Sequence, residues 1–152
     1  VCNGDHQLST ALAADDNTTS KGGQVAVRIK HVTFDSANPY RLAQFWSQVT
    51  GFREDPDNPN QPDDPEALLV SPDGGVALLF VPVPEPKPGK NRVHLDLVPL
   101  ERTRDDEVRW LLDLGAELAD DQRRPDGSGW VVLRDPEGNE FCVERSDSER
   151  SS

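Results

Sequence analysis

The stretch Pro84–Val98, PEPKPGKNRVHLDLV, holds two signals in succession. Its first half has proline at 84, 86 and 88 and cannot continue a helix or a central sheet strand, so it reads as a connector. Its second half alternates with a period of two, the side-chain period of a strand. Val93, Leu95 and Leu97 share one face, and Arg92, His94 and Asp96 share the other. A guanidinium, an imidazole and a carboxylate are thereby directed into one space. Taken alone, such a strand is more often a half-exposed one with ordinary charged residues in water. A second strand of the same kind upstream changes the balance.

Downstream of this stretch the pattern predicts a helix over about 101–114 with Val108, Leu111 and Leu112 inward and Gly115 as its cap. Strands follow at about 116–119, 130–134 and 140–145, the last two joined by the turn Asp135-Pro136-Glu137-Gly138-Asn139. Upstream, residues 25–35 read as a strand, and Asn38 before Pro39 supplies a capping side chain and then a residue that needs no amide hydrogen. The helix then runs to about Thr50, with Leu42, Phe45, Trp46 and Val49 on one face and Gly51 as its left-handed end. A loop dense in Pro, Asp and Asn over 53–65 precedes strands at 67–70 and 76–83, joined by the turn Ser71-Pro72-Asp73-Gly74-Gly75.

Laying one half on the other shows a repeat. His31 falls on His94, Trp46 on Trp110 and Gly51 on Gly115, and the turns at Pro72 and Pro136 coincide at an offset of 64. Self-similarity at a nearly fixed offset marks two copies of one module.

Length and composition set the outer limits. The chain of 152 residues has the size of one domain, and its formal net charge of −12 argues against nucleic acid, whose binding draws on Lys and Arg. Cys2 and Cys142 lie far apart, so no disulfide framework is expected and a reducing, cytoplasmic setting fits. No apolar run is long enough to span a bilayer. Residues 1–24 are polar and poor in large apolar side chains, and are expected to form a disordered tail, with a further short tail at 148–152.

The motifs His31-Val-Thr-Phe with Phe45-Trp46 and Gly51-Phe52, Lys90-Asn-Arg-Val-His94-Leu-Asp96, and Asp135-Pro-Glu-Gly-Asn139 together resemble the vicinal-oxygen-chelate superfamily of glyoxalases, bleomycin-resistance proteins and extradiol dioxygenases, over about residues 25–147. The second and third motifs are most similar to its glyoxalase-like branch. The resemblance implies an α+β fold of two repeated βαβββ modules, about 25–83 and 92–147, whose curved sheets form a cup with helices outside. Val93, Leu95, Leu97, Phe141 and Val143 would then face the helices, leaving His94, Asp96, Cys142 and Glu144 in the cup. It further implies a homodimer and, in metal-dependent members, four ligand positions, two near module starts and two near module ends. The starts match as His31 and His94. Counted from the turns, the ends fall on Leu78 and Cys142 in place of the expected carboxylates, which argues against a bound divalent metal. Leucine cannot be a ligand, and cysteine selects softer or borderline ions such as zinc.

Two functions follow. One is a small-molecule enzyme of lyase, isomerase or dioxygenase type, in which a metal polarises a substrate oxygen or His94 with Asp96, or His31 with Asp35, acts as general base. The other is a non-catalytic binder that sequesters an antibiotic or metabolite, with tryptophans for stacking. Arg92 is expected to hold ligand, whereas Lys87 and Lys90 read as a solvated connector. His31, His94 and Cys142 are expected to converge on one cavity with Leu78 beside them.

Overall fold

The computed structural model describes residues 27–151, so the expected tail over 1–24 lies outside the described residues. In chain order the elements are β1 (His31–Ser36), α1 (Pro39–Thr50), β2 (Ala67–Leu69), β3 (Ala77–Pro82), β4 (Asp96–Leu97), α2 (Arg104–Leu114), β5 (Glu117–Asp121), β6 (Val131–Arg134), β7 (Glu140–Val143) and α3 (Asp147–Arg150). They build two sheets, β1-β3-β2 and β4-β7-β6-β5. In each sheet the first strand runs parallel to the last strand of its half, which is antiparallel to the strand before it. The architecture is α+β, with the same topology drawn twice. No described helix is long and apolar enough to cross a membrane.

Both long helices begin and end as their caps require. Asn38 accepts from the Arg41 amide and Gly51 closes α1 at φ 70°, while Thr103 accepts from Asp106 and Gly115 closes α2 at φ 114°. The first half lacks one full strand. Where β5 follows α2, the chain after α1 reaches β2's end only through the bridge Arg53↔Val70, with N–H···O distances of 3.0 and 2.8 Å, and otherwise makes the local bridge Asp55↔Asn58. Prolines at 56, 59, 62 and 65 remove the donors that would extend it.

β4 is also shorter than its alternation suggests. Its ladder starts only where the Leu95 carbonyl accepts from Cys142, at 2.9 Å. Val93, expected to face the helices, precedes the ladder and is 78% exposed. Leu112 is likewise exposed, whereas Val108 and Leu111 are buried as α2's spacing requires. At the other end, α3 is a short capped helix where a tail was expected.

One apolar core joins both halves. Trp46 of α1 packs on Phe34 of β1 and on Phe141 of β7, with ring centroids 5.3 and 5.2 Å apart. Its indole N–H donates to the buried Asp135 at 3.1 Å. Burial pushes the Asp135 carboxyl above its ordinary value, against the pull of hydrogen bonds from Asn139, Trp46 and Glu137. Two residues on, Glu137 accepts from the Ser36 hydroxyl at 2.9 Å and from the Ala37 and Asn38 amides at 2.7 and 2.8 Å. A turn of the second half thus caps the first helix of the first half, where a carboxylate meets unpaired amides and the positive end of the dipole. Glu137→Ala should lower stability by about 2 kcal/mol, the scale of hydrogen bonds to a charged group. Denaturant midpoints of the two proteins measure it, and Glu137→Gln should recover part of the loss.

Candidate functional site

The register of the two parallel pairs places the functional side chains. Thr33 lies opposite Leu79 across β1 and β3, and Asp96 lies opposite Cys142 across β4 and β7. A shift of 63 residues therefore carries Thr33 onto Asp96, Leu79 onto Cys142 and His31 onto His94. The turns are offset by 64, because the first half has one more residue between its turn and its last strand. A one-residue slip turns a strand's side chains to the opposite face. The equivalent of Cys142 is consequently Leu79, and Leu78 is 3% exposed within the core, opposite Val32. Leu78 is thus corrected from the cup to the helix side.

His94, Asp96 and Cys142 come together at the start of the second sheet. His94 Nδ1 is 2.9 Å from the Asp96 carboxylate and 3.8 Å from Cys142 Sγ, and the donor atoms of all three lie within 4.8 Å of one another. Burial pushes the Cys142 thiol up to about 12, with the Asp96 carboxylate adding to it, so the thiol stays protonated at neutral pH and is no free nucleophile. Both partners address the same nitrogen, which also excludes a relay running from thiol through imidazole to carboxylate. As a donor set of imidazole, carboxylate and thiol, the cluster fits a borderline ion such as zinc rather than a magnesium-like one. The matching positions of the first half, His31, Thr33 and Leu79, keep the imidazole and lose both other donors.

A cleft of 1120 Å³ opens beside this cluster. His94 lines it together with Arg92, Asp35 and Phe34, with the buried Trp46 and Phe141 behind them. The connector forms its rim and is clasped in place through Glu140, which accepts from the Asn91 amide at 3.0 Å and pairs with Lys87 at 3.0 Å. Lys87, expected to be free in solvent, is therefore a tether whose side chain is 25% exposed, and no pattern in the sequence links it to Glu140. Of the other expected site residues, Glu144 pairs with Arg150, while His31 is half-buried, has interactions of its own, and belongs neither to the donor cluster nor to the cleft lining. His31 and Leu78 thus do not line the cleft with His94.

A family model described as a glyoxalase-like domain matches residues 31–144. A glyoxalase/bleomycin resistance protein/dioxygenase family enzyme from Burkholderia phytofirmans superposes with a TM-score of 0.58 at 21% identity, over 77% of this chain and 97% of that one. The fosfomycin resistance protein FosX from Mesorhizobium loti gives 0.59 at 16% identity over 84% and 98%, and FosX from Listeria monocytogenes gives 0.61 at 14% over 83% and 95%. These likenesses concern the fold. A search of curated proteins gave no match.

The connector clasp has a pH signature. Burial pushes the Glu140 carboxyl up, but the Asn91 amide and the Lys87 ammonium outweigh it and bring the group down to about 2 from an ordinary 4.5. A depressed carboxyl stabilises the fold above its unfolded value and loses that contribution as pH falls through the folded one. Glu140→Gln should therefore be less stable than the parent at pH 7, with the gap closing between pH 4.5 and about 2. Denaturant midpoints across that range test it, and a gap that does not change with pH would contradict it.

Proposed function

Since the chain belongs to the glyoxalase-like domain family of the vicinal-oxygen-chelate superfamily, we propose that it is an enzyme that takes a small molecule into the cleft beside β4 and acts on an oxygen of that molecule at His94. The observation carrying this reading is that His94 belongs at once to the cleft lining and to the cluster with Asp96 and Cys142. A cleft with an apolar wall and a few polar groups at one end is the usual form of a small-molecule site.

Asp96 orients the imidazole through Nδ1 and stabilises it when protonated, which leaves Nε2 for a ligand's proton. Arg92 makes no ion pair among the described residues and lines the same cleft, so it can receive a carboxylate or another anionic end of the ligand. A borderline divalent cation would be held by His94 Nδ1, the Asp96 carboxylate and Cys142 Sγ and would act there as a Lewis acid on a ligand oxygen. Lyase, isomerase and dioxygenase chemistry all begin with such a polarised oxygen.

The reduced donor set of the first half favours a second reading, a non-catalytic protein that sequesters a small molecule or antibiotic. Here Phe34 and the apolar side chains of the connector supply the affinity, and His31, outside the cleft lining, takes no part in it. Both readings include a homodimer, since β1 and β4 each stand at an outer edge of their sheets and exposed edges need cover. Both also fit a cytoplasmic setting, in which Cys142 stays a free thiol.

Elemental analysis of freshly purified protein and zinc titration calorimetry test the Lewis-acid form of the enzyme reading. That form expects roughly one zinc per chain, with His94→Ala and Cys142→Ser each weakening it by at least about tenfold and His31→Ala leaving it unchanged. No zinc uptake would remove the Lewis-acid form of the enzyme reading and leave only its acid–base form at His94, and equal losses in His31→Ala and His94→Ala would refute a site confined to the second sheet. Sedimentation at micromolar concentration should give a dimer, and a monomer would remove that part of the proposal.

A further inference from the structure

A second cleft, of 420 Å³, lies farther along β7, lined by Arg124, Trp130, Glu144, Arg145 and Arg150 among others. Val131 lies opposite Val143 and Val132 opposite Cys142, so the same register places Trp130 across from Glu144, on the face that carries Cys142. Trp130 is 41% exposed although the adjoining Val131 is fully buried. An indole left open beside three guanidinium groups is unusual in a chain whose net charge is −12.

The guanidinium groups are not equivalent. Arg150 is engaged, donating to Glu144 and to the Arg145 carbonyl. Arg124 and Arg145 form no ion pair among the described residues. Asp126 acts on both only through its field, with its Oδ1 accepting from the amide and hydroxyl of Ser128 at 2.9 and 2.6 Å, and Glu144 of the cleft is paired with Arg150. Two cationic side chains are thus available to an incoming anion.

The loop carrying Arg124 and Trp130 is held in shape from below. Arg104, only 5% exposed, donates from Nη1 to the carbonyls of Gly127, Ser128 and Gly129 at 3.1, 3.3 and 3.0 Å. Gly129 has φ +91°, and a Cβ there would sit 2.0 Å from the Gln122 carbonyl oxygen. This close approach lets the Gln122 amide donate to the Trp130 carbonyl at 3.0 Å, which fixes the base of the indole. A loop ordered in advance gives up little freedom when a ligand arrives.

We propose that this cleft is a binding site for an aromatic anion, with the ligand's ring stacked on Trp130 and its carboxylate or phosphoryl group held by Arg124 and Arg145. Guanidinium groups match the oxygens of such acids in bidentate fashion, and an indole face takes a planar ring at low entropic cost. The site is separate from the cleft beside His94 and does not depend on a cation there.

Phenylphosphonate is the probe, titrated into the full chain and followed by the shifts of the indole N–H signals of Trp46, Trp110 and Trp130 in NMR. Saturable movement of the Trp130 signal is expected, with methylphosphonate and benzamide each binding at least about tenfold more weakly. Arg124→Ala with Arg145→Ala should weaken phenylphosphonate at least about tenfold, and Trp130→Leu should remove the preference for the aryl compound. His94→Ala should bind it as the parent does, which keeps the test independent of the proposed function. An unmoved Trp130 signal, an unchanged affinity in the double arginine variant, or loss of binding in His94→Ala would each overturn the inference.

Discussion

The buried carboxylate of Asp135 and its bond to the Trp46 indole hold the two halves of the molecule to each other. Desolvation makes such a group costly unless every oxygen is engaged, and here Trp46, Asn139 and the Glu137 amide all donate to it. The same turn then offers Glu137 to the start of α1. Because α1 packs on the first sheet and its Trp46 on Phe141 of the second, the polar contact sets the register of one apolar core spanning both sheets. Buried polar contacts of this kind specify an arrangement more than they stabilise it.

That constraint explains where the sequence was readable. Asn38-Pro39, Gly51, Thr103 and Gly115 act within a few residues of themselves, so both helices could be drawn from local chemistry. The repeated histidines and turns were visible for the same reason. What local chemistry cannot show is how many residues separate a turn from the first ladder bond, and a difference of one between the halves moved the matching position from Leu78 to Leu79. The Lys87–Glu140 pair and the Glu137 cap join residues distant in the chain, and nothing in their types announces the partner.

The two halves share a topology but divide the chemistry unequally. His31 and His94 occupy matching strand positions, yet Thr33 and Leu79 stand where the second half has Asp96 and Cys142. Trp46 and Trp110 show the same divergence, one sealed in the core and the other under the Arg102 guanidinium at 4.6 Å. The resemblance pointed to ligands drawn evenly from both halves, and the residues present instead concentrate the donors on one sheet.

Such concentration imposes a choice on His94. Its Nδ1 faces both the Asp96 carboxylate and the Cys142 sulfur, so that single nitrogen can either carry a proton shared with Asp96 or serve as a ligand atom, and not both at once. In the first state the thiol remains neutral beside a carboxylate, an arrangement its burial favours. In the second, the Nδ1 proton must leave that nitrogen, as it does in the other neutral tautomer, and the thiol must lose its proton, which makes the site's affinity for a cation fall with falling pH. The balance between acid–base and Lewis-acid chemistry in the adjoining cleft is therefore set at one imidazole nitrogen.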